Sequence, residues 1–256
     1  MRITLQLARP WIFQPGQHLY LYIPAVGWWT SHPFSVAWSE NARSDGEGLP
    51  TSGNDLLGNR KDTVSLIVQR RAGVTDHLFR KALKGSITYH ALTEGPYGNI
   101  HSLDSYGTIL LFAGGLGIAH QISFVRHLVS GFAEGTVATR KIFLVWVVRT
   151  LAHLQCVRSW ITYILAMDRQ RDILRIMVFV TQPQGTKEIQ ECSMTVPIFL
   201  GRPNVEPIVD MEIRNQIGAM GVMVCGSGSL SDDVRHVCRR RQSTSNIDFI
   251  EESFSW

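Results

Sequence analysis

Apolar runs alternate with helical patterns through the second half of the chain. Residues 108–113, 142–148, 174–180 and 220–225 are almost continuously apolar, as strands buried on both faces are. Apolar residues at helical spacing follow three of these runs: Ile118, Ile122, Val125 and Val129; Leu151, Leu154, Val157, Ile161 and Ile164; and Leu230, Val234 and Val237. The alternation predicts an α/β domain whose parallel sheet is covered by helices on both faces.

The first hundred residues have a β pattern instead. Short runs rich in β-branched and aromatic residues lie at 19–23, 63–69 and 86–92, and Gly and Pro separate them. The polar stretch 39–62 is expected to be a surface loop between two of these strands. Because the pattern changes near residues 100–106, the sequence predicts a β domain over residues 1–103 and an α/β domain over residues 104–256.

Composition and charge exclude several classes of protein. The formal net charge of +4 is too small to indicate nucleic-acid binding, and Arg239–Arg241 is short enough to be a solvated helix end. No segment reaches the ~18 uninterrupted apolar residues expected of a membrane span. The cysteines form no CxxC pair and no His cluster has zinc spacing, which disfavours a metal site or a disulfide framework and favours a reducing compartment.

Two glycine-rich turns directly follow predicted buried strands. One is GGLG at 114–117, and the other is CGSG at 225–228. Glycines at such turns let the backbone approach a ligand closely, and the helix that follows points its free N–H groups at an anion. A single turn of this kind is equally compatible with tight packing. Two of them at one edge of a parallel sheet favour a site for nucleotide phosphates.

The β domain carries a candidate site of its own. HPFS at 32–35 lies among tryptophans, and RRAGVTDHL at 70–78 places a glycine, a threonine and cationic side chains at a predicted strand-to-helix turn. Such a turn is a natural cradle for phosphate. EGPYG at 94–98 is expected to close the domain with a rigid Gly-Pro turn.

Taken in order, these motifs resemble the fungal ferric and cupric reductases. They also resemble the NADPH oxidases and, more distantly, the ferredoxin–NADP reductases. The resemblance covers nearly the whole chain and is carried by PGQHLYLYIP (15–24), HPFS (32–35), RAGVTDHL (71–78), EGPYG (94–98), LLFAGGLGI (110–118), LVWVVR (144–149), VCGSGSLSDDVR (224–235) and DFIEESFSW (248–256). It implies an antiparallel flavin-binding β-barrel followed by an α/β parallel-sheet domain that binds the nicotinamide nucleotide.

The resemblance implies two groups of FAD-binding residues in the barrel. The residues expected to line the flavin are His32, Pro33, Phe34 and Ser35. Those expected to bind the FAD pyrophosphate through backbone N–H groups are Gly73, Val74 and Thr75. By the same resemblance, the Ser35 hydroxyl lies near the flavin N5 atom, and Phe254, rather than Trp256, covers the flavin ring.

The resemblance also implies a binding site for NADPH. The residues expected at its pyrophosphate are Gly114, Gly115, Gly117 and Ile118. Arg149 occupies the position after a strand from which an arginine can pair with the 2′-phosphate, although a solvated arginine is the open alternative. Cys225 and Gly226 are expected beside the nicotinamide. Ser35, Cys225 and Phe254 are thereby the residues implied to lie at the reacting rings.

The implied reaction is the transfer of a hydride from NADPH to FAD. In the intact family, electrons then pass to a membrane haem domain and on to ferric or cupric chelates, at the cytosolic face of the plasma membrane. The chain departs from the family in three ways. Ser227 replaces a proline of the usual CGPG, the haem-ligating membrane domain has no counterpart in these residues, and one early barrel strand is expected to be missing.

Two other functions remain open at the level of sequence. A barrel that lacks a strand and fails to retain FAD would leave a nucleotide-binding module without turnover. Alternatively, the chain is a soluble flavin-dependent reductase that has no membrane partner. Flavin binding separates the first alternative from the family's activity.

Overall fold

The fold is described from a computed structural model, over residues 1–9, 11–27, 29–40, 62–98, 101–168, 170, 172–183 and 196–252. The chain divides into two compact units, Met1–Ile100 and His101–Trp256. Each unit is built on one sheet. Within the described ranges, no helix is both long enough and apolar enough to cross a membrane.

The first unit contains a five-stranded antiparallel sheet. Its strands are β1 (Arg2–Gln6), β2 (His18–Tyr22), β3 (His32–Glu40), β4 (Thr63–Ile67) and β5 (Leu92–Tyr97). They are hydrogen-bonded in the order β1-β4-β3-β2-β5. Leu19 and Leu21 alternate with less buried residues along β2, so that one face of the sheet meets the core. Helix α1 (Val74–Ala82) packs Leu78 into the same core.

The second unit contains a six-stranded parallel sheet. Its strands are β6 (Thr108–Gly114), β7 (Lys141–Val148), β8 (Leu174–Val180), β9 (Ile198–Leu200), β10 (Met220–Cys225) and β11 (Ile247–Glu252). They lie in the order β11-β10-β6-β7-β8-β9. The helices are α2 (Ile118–Glu134), α3 (Ala152–Gln155), α4 (Arg158–Met167), α5 (Val205–Arg214) and α6 (Gly228–Arg241).

The core of the second unit lies against β6. Leu110 and Phe112 are fully buried in a cluster with Val209 of α5 and Val234 of α6. The alternate residues of β6 point to the other side of the sheet, where α2 contacts β6. Both faces of the strand are therefore covered, which explains its continuous apolar sequence.

The predicted fold class is confirmed: an antiparallel β unit precedes a parallel α/β unit. The four apolar runs of the second half form β6, β7, β8 and β10. The run at 19–23 corresponds to β2 and the run at 63–69 to β4. The expected loop at 39–62 begins later than predicted, because β3 continues to Glu40, and residues 41–61 of it lie outside the described ranges.

The prediction of a strand at 86–92 is wrong. Residues 86–91 are outside any strand, and the strand begins at Leu92 and includes most of EGPYG, which was expected to be a turn. β5 accommodates Pro96 because it is the last strand in the sheet order, so one of its sides needs no ladder hydrogen bonds. Its pairing with β2 also shifts register between His18 and Tyr20.

The helical pattern after β7 is interrupted where a single helix was expected. It forms the short helix α3 and then α4, with Val157 between them. Strands β9 and β11 and helix α5 were not predicted. β9 has only three residues, so it is too short to show a pattern.

Candidate functional site

Two glycine turns contact each other at the carboxyl edge of the parallel sheet. β6 and β10 are neighbours, with Ala113 opposite Cys225, so both turns leave the sheet at the same level. A Cβ atom on Gly226 would lie 2.8 Å from the Cα atom of Gly114, and one on Gly114 would lie 3.0 Å from the Cα atom of Gly226. Each turn therefore needs a glycine at this position, because the backbone of the other turn occupies the space of a side chain.

Gly117 makes an even closer approach. A Cβ atom there would lie 1.9 Å from the carbonyl oxygen of Cys225, a distance that no side chain tolerates. Gly117 also precedes α2, so the position of the helix start depends on this contact. The absence of side chains at the two turns thus brings the beginning of α2 directly beside the end of β10.

Gly115 faces the opposite way, towards open space. Its φ angle is +53°, in the left-handed region that glycine adopts without strain, and none of the described residues lies within 4 Å of the position of a Cβ atom. The indole N–H of the buried Trp146 donates a hydrogen bond of 3.0 Å to the Gly115 carbonyl. β7 thereby holds the first turn in place.

The helix starts at the two turns have no side-chain caps. Neither Gly117 before α2 nor Ser227 before α6 makes a capping hydrogen bond through a side chain. In the first turns of α6, Asp232 pairs with Arg235 and does not cap the helix. A short 3-10 turn, Gly115–Gly117, runs directly into α2, and the Ile118 N–H group donates to the Leu116 carbonyl oxygen. The open N–H groups at this edge are therefore expected in the glycine turn before α2 and at the start of α6.

A buried glutamine connects the two strands beneath the turns. Gln121 of α2 has no solvent exposure, and its side-chain N–H group donates to the carbonyl oxygens of Phe112 and Met223 at 3.4 and 3.5 Å. Trp146 and Gln121 both support the turns, yet sequence reasoning missed them. An isolated Trp or Gln within an apolar pattern has no signal that distinguishes it from an ordinary core position.

Cys225 is a buried end of β10. It has no exposed surface, and burial raises the pKa of its thiol to about 12, to which the nearby Glu252 carboxylate adds. Glu252 is the register partner of Cys225 in β11. The thiol is therefore protonated at neutral pH and does not act as a thiolate nucleophile.

Arg149 lies at the same edge, directly after β7. Its side chain is exposed, and its backbone carbonyl accepts a hydrogen bond of 2.8 Å from the N–H group of Gln182, which follows β8. β7 is the neighbour of β6 in the sheet, so the backbone of Arg149 lies one strand away from the first glycine turn.

In the first unit, the Gly73 turn is closed by a threonine. The Thr75 hydroxyl accepts a hydrogen bond from the Arg71 N–H group and donates one to the Arg71 carbonyl, both at 2.9 Å. Gly73 has a φ angle of +89°, and its Cβ position is open to 4 Å among the described residues. It precedes α1 without a side-chain cap, so the backbone N–H groups at this helix start also face outwards.

The loop before HPFS contacts this turn. A Cβ atom on Gly27 would lie 3.1 Å from a methyl group of Val74. Gly27 precedes the start of β3 by five residues along the chain, and β3 begins with His32. The two FAD motifs of the sequence therefore belong to one region of the first unit.

The four residues of HPFS divide between the two faces of the sheet. His32 and Phe34 are opposite Leu21 and Leu19, which are core residues. Pro33 and Ser35 are opposite Tyr20 and His18, so these two pairs lie on the other face.

An aromatic cluster lies on the face that carries Ser35. The rings of His18, Tyr20 and Tyr97 are 5.8 to 6.0 Å apart in pairs, measured between centroids. Tyr97 is 40% exposed, so the cluster is accessible to a ligand. The sequence analysis placed HPFS among tryptophans and did not include these three residues in the site, although the alternation in HLYLY provides that signal.

Family models match both units of the chain. A model described as the ferric reductase NAD binding domain matches residues 106–239, which is more than half of the chain, and an FAD-binding domain model matches residues 1–47. The chain belongs to the ferric reductase family. As a member, it is an FAD- and NAD(P)-binding module of the ferric reductase and NADPH oxidase type.

Curated relatives from this family are much longer than the chain. It is 23% identical to the ferric/cupric reductase transmembrane component 2 of Saccharomyces cerevisiae, over 100% of the chain and 37% of that protein. It is 25% identical to a heavy chain of the superoxide-generating NADPH oxidase of Dictyostelium discoideum, over 93% of the chain and 36% of that protein. The chain thus spans about a third of the length of these ferric reductase relatives.

Solved structures support the fold of this ferric reductase module. The CS-b5R domains of human Ncb5or in the NAD+ form match with a TM-score of 0.62 and 18% identity, over 97% of this chain and 64% of that one. Ferredoxin-NADP+ reductase from Plasmodium falciparum matches with a TM-score of 0.56 and 12% identity, over 99% of this chain and 94% of that one. At these identities the similarity concerns the fold.

The residues of this ferric reductase module fit two nucleotides. Gly73 and Gly115 each present backbone with open space where a side chain would be, beside an uncapped helix start. The buried Nε2 atom of His32 has no hydrogen-bond partner among the described residues, as expected of a group that a ligand satisfies. Phe254, expected to cover the flavin, lies outside the described residues.

Proposed function

We propose that the chain binds FAD through residues 1–103 and NADPH through residues 104–256, and that it transfers a hydride from NADPH to FAD. The observation that carries this proposal is the reciprocal contact of the Gly114 and Gly226 turns at one sheet edge. It supports a nucleotide site because two glycine turns, each followed by a helix, meet at the carboxyl edge of a parallel sheet, which is where such folds bind nucleotides. When bound, NADPH supplies the hydride that FAD accepts.

In the second unit, the chain's own residues bind and orient the nucleotide. The backbone of the turn formed by Gly114, Gly115, Gly117 and Ile118, which leads into α2, binds the pyrophosphate. Trp146 and Gln121 hold that turn without touching the ligand, because both are buried beneath it. Arg149, on an adjacent strand end, pairs with the 2′-phosphate and makes the site selective for NADPH.

Cys225 and Gly226 form the wall beside the nicotinamide. The neutral thiol of Cys225 has no exposed surface, so it packs behind the wall while the backbone of Cys225 and Gly226 faces the ring. No protein acid or base is needed for hydride transfer, so the high pKa of Cys225 is compatible with this role. The protein contributes position rather than proton transfer.

In the first unit, the Gly73–Thr75 turn binds the FAD pyrophosphate. The Thr75 hydroxyl is occupied by the backbone of Arg71, which leaves the N–H groups of the turn for the phosphate. The strand that begins with His32, Pro33, Phe34 and Ser35 lies along the flavin: Pro33 and Ser35, on the face that carries the aromatic cluster, point towards the ring, with the Ser35 hydroxyl near N5. Phe254 covers the ring.

In the intact protein, this module passes electrons to a membrane haem domain and then to ferric or cupric chelates at the cytosolic face of the membrane. Support comes from relatives whose names describe transmembrane ferric and ferric/cupric reductase components. The chain covers 37% of the length of each, so the haem-bearing part would lie outside the matched region. A soluble flavin-dependent reductase is the alternative.

Flavin binding and NADPH oxidation test this proposal directly. The purified chain is incubated with FAD and dialysed, and its visible spectrum is recorded before and after NADPH is added without oxygen. We expect a bound flavin absorbance that NADPH bleaches. A colourless protein would leave only nucleotide binding without turnover.

A matched pair of glycine variants locates the FAD site. Gly73→Ala and Gly85→Ala both force a side chain into a positive-φ position, at +89° and +138°, with open space around it. The strain should cost each variant about 1–3 kcal/mol of stability. Only Gly73→Ala should weaken FAD binding, because only Gly73 lies at the proposed pyrophosphate turn. Equal FAD affinity in the two variants would contradict the assignment.

A further inference from the structure

The carboxyl end of β11, an edge strand of the parallel sheet, lies beside the candidate site. β11 is the last strand on its side of the sheet and pairs with β10. Its final residue, Glu252, is opposite Cys225, and Glu251 is opposite Val224. A strand that is paired on one side can fray from its end, so its position at Cys225 depends on other contacts.

A guanidinium group from α6 supplies such a contact. The Nε atom of Arg235 donates a hydrogen bond of 3.1 Å to Glu251 Oε2, and the Nη2 atom donates a second one to the same oxygen. The Nη1 atom donates to Asp232 at 2.5 Å, which fixes the guanidinium on its own helix. The side chains of Arg235 and Glu251 are 31% and 27% exposed, so water screens this pair only in part.

This ion pair joins two elements that each have one end at the candidate site. α6 begins at Gly228, immediately after the glycine turn that contacts Gly114. β11 ends at Glu252, whose carboxylate raises the pKa of the Cys225 thiol. Because Glu251 and Glu252 are adjacent in β11, holding the one restricts the position of the other.

We propose that Arg235 is a positioning residue: by binding Glu251, it fixes the end of β11 beside Cys225 in the geometry that hydride transfer requires. This inference rests on the proposed function. Arg235 does not touch the nucleotides in this scheme, and it acts through Glu251. Its loss should therefore slow the chemical step more than it weakens NADPH binding.

α6 offers a matched control. Arg241 also pairs with two carboxylates: its Nε and Nη2 atoms donate to Asp210 of α5 at 2.7 and 2.8 Å, and Nη2 donates to Glu206 of α5 at 3.2 Å. Its side chain is 28% exposed, close to the value for Arg235. α5 contains none of the candidate site residues. Arg241→Ala thus removes a comparable ion pair from the same helix without affecting β11.

The experiment compares Arg235→Ala, Arg241→Ala, Arg235→Lys and the charge-reversed double variant Arg235→Glu/Glu251→Arg in the FAD-loaded chain. Steady-state kcat and KM for NADPH are measured with ferricyanide as acceptor. We expect Arg235→Ala to lower kcat about tenfold with KM within about twofold, and Arg241→Ala to change neither by more than about twofold. Arg235→Lys and the charge-reversed variant should recover part of the loss.

Amide hydrogen exchange over residues 247–252 provides a readout that does not depend on turnover. Exchange there should accelerate about tenfold in Arg235→Ala and remain unchanged in Arg241→Ala. Equal kcat values for the two alanine variants, or unchanged exchange in β11, would overturn this inference alone. A wild-type chain that neither binds FAD nor oxidises NADPH would overturn the proposed function. If Arg235→Ala fails to fold, the Lys and charge-reversed variants decide the question by the same two measurements.

Discussion

At the scale of single residues, the candidate site depends on glycines, because neighbouring backbone leaves no room for a side chain. Gly117 and Gly226 are required because backbone atoms of the other turn occupy the space of a Cβ atom. The sequence predicted glycine turns at these positions from their place after buried strands. It did not predict which backbone each glycine approaches, because that depends on strand order, which a single sequence does not state.

The contacts of Trp146 and Gln121 were beyond prediction for the same reason. Trp146 lies in the apolar run of β7 and Gln121 lies in the helical pattern of α2. Their polar atoms reach Gly115, Phe112 and Met223, which belong to other elements. A buried polar atom finds its partner through tertiary packing, which leaves no local mark in the sequence.

Arg149 carries a prediction about nucleotide choice. Replacing Arg149 with Ala should lower kcat/KM for NADPH by roughly ten- to a hundredfold, since an arginine–phosphate contact contributes about 1.5–3 kcal/mol. The value for NADH should be nearly unchanged, because NADH has no 2′-phosphate. The measurement is kcat/KM with each nucleotide for the wild type and the variant.

Arg140 provides the control for Arg149. It directly precedes β7, whereas Arg149 directly follows it, so the two arginines lie at opposite ends of one strand. Arg140→Ala should leave the ratio of NADPH to NADH activity unaltered. If Arg149→Ala reduced the two activities equally, the arginine would have a structural role and the 2′-phosphate assignment would be wrong.

At the scale of elements, the sequence predicted central strands well and peripheral ones poorly. β6, β7 and β10 are buried on both faces, so burial imposes continuous apolar sequence on them. β9 and β11 lie at the two ends of the sheet, where burial is incomplete and the pattern weakens. The strand prediction for residues 86–92 was wrong because β-branched and aromatic residues also suit half-buried segments that do not pair with another strand.

Because the turns after β6 and β10 are in contact, adding one methyl group at Gly117 should destabilise the fold strongly. Gly117→Ala would place a Cβ atom 1.9 Å from the Cys225 carbonyl oxygen, so β10 and α2 must separate. We expect the free energy of unfolding to fall by about 3 kcal/mol, at the upper end of typical overpacking costs. Urea unfolding monitored by circular dichroism measures this change.

Gly228→Ala is the matched control in the same region. Gly228 is the first residue of α6, and none of the described residues lies within 4 Å of its Cβ position. Alanine there should change the free energy of unfolding by less than about 1 kcal/mol, because any gain in helix propensity is of that size. A Gly117→Ala variant as stable as Gly228→Ala would mean that the two turns are not in contact.

The buried His120 of helix α2 predicts how folding stability depends on pH. Burial lowers the pKa of His120 to about 4, with a smaller contribution from the charge of His101. The folded chain therefore keeps His120 neutral, while the unfolded chain takes up a proton as the pH falls below about 6.5. The contribution of neutral His120 to folding stability is therefore complete above about pH 6.5, and it is lost as the pH falls from about 6.5 to about 4.

The loss attributable to His120 between about pH 7 and about pH 5 should be on the order of 2 kcal/mol. It is measured as the difference in urea unfolding between wild type and His120→Phe at the two pH values. The aromatic replacement retains the packing against Phe124, whose ring centroid lies 5.2 Å away. An identical pH dependence in the two proteins would show that another group governs this range.

At the scale of the whole molecule, the chain combines two units with separate cores. The first core includes Leu19 and Leu66, and the second includes Phe112 and Val222. The change from a β pattern to an alternating pattern near residues 100–106 anticipated two bodies of different class, because each core imposes its own periodicity on the chain. Each unit is also the proposed site of one nucleotide.

This division predicts that FAD and NADP+ stabilise different parts of the chain. At about 100 times its dissociation constant, each ligand should contribute about 2.7 kcal/mol to the unit that binds it, and slow amide exchange there about a hundredfold. FAD alone should protect residues 63–82, around the Gly73 turn, and NADP+ alone should protect residues 108–134 and 220–241. Hydrogen exchange with each ligand added separately measures both effects. Protection of 108–134 by FAD alone, with residues 63–82 unaffected, would reverse the assignment of nucleotides to units.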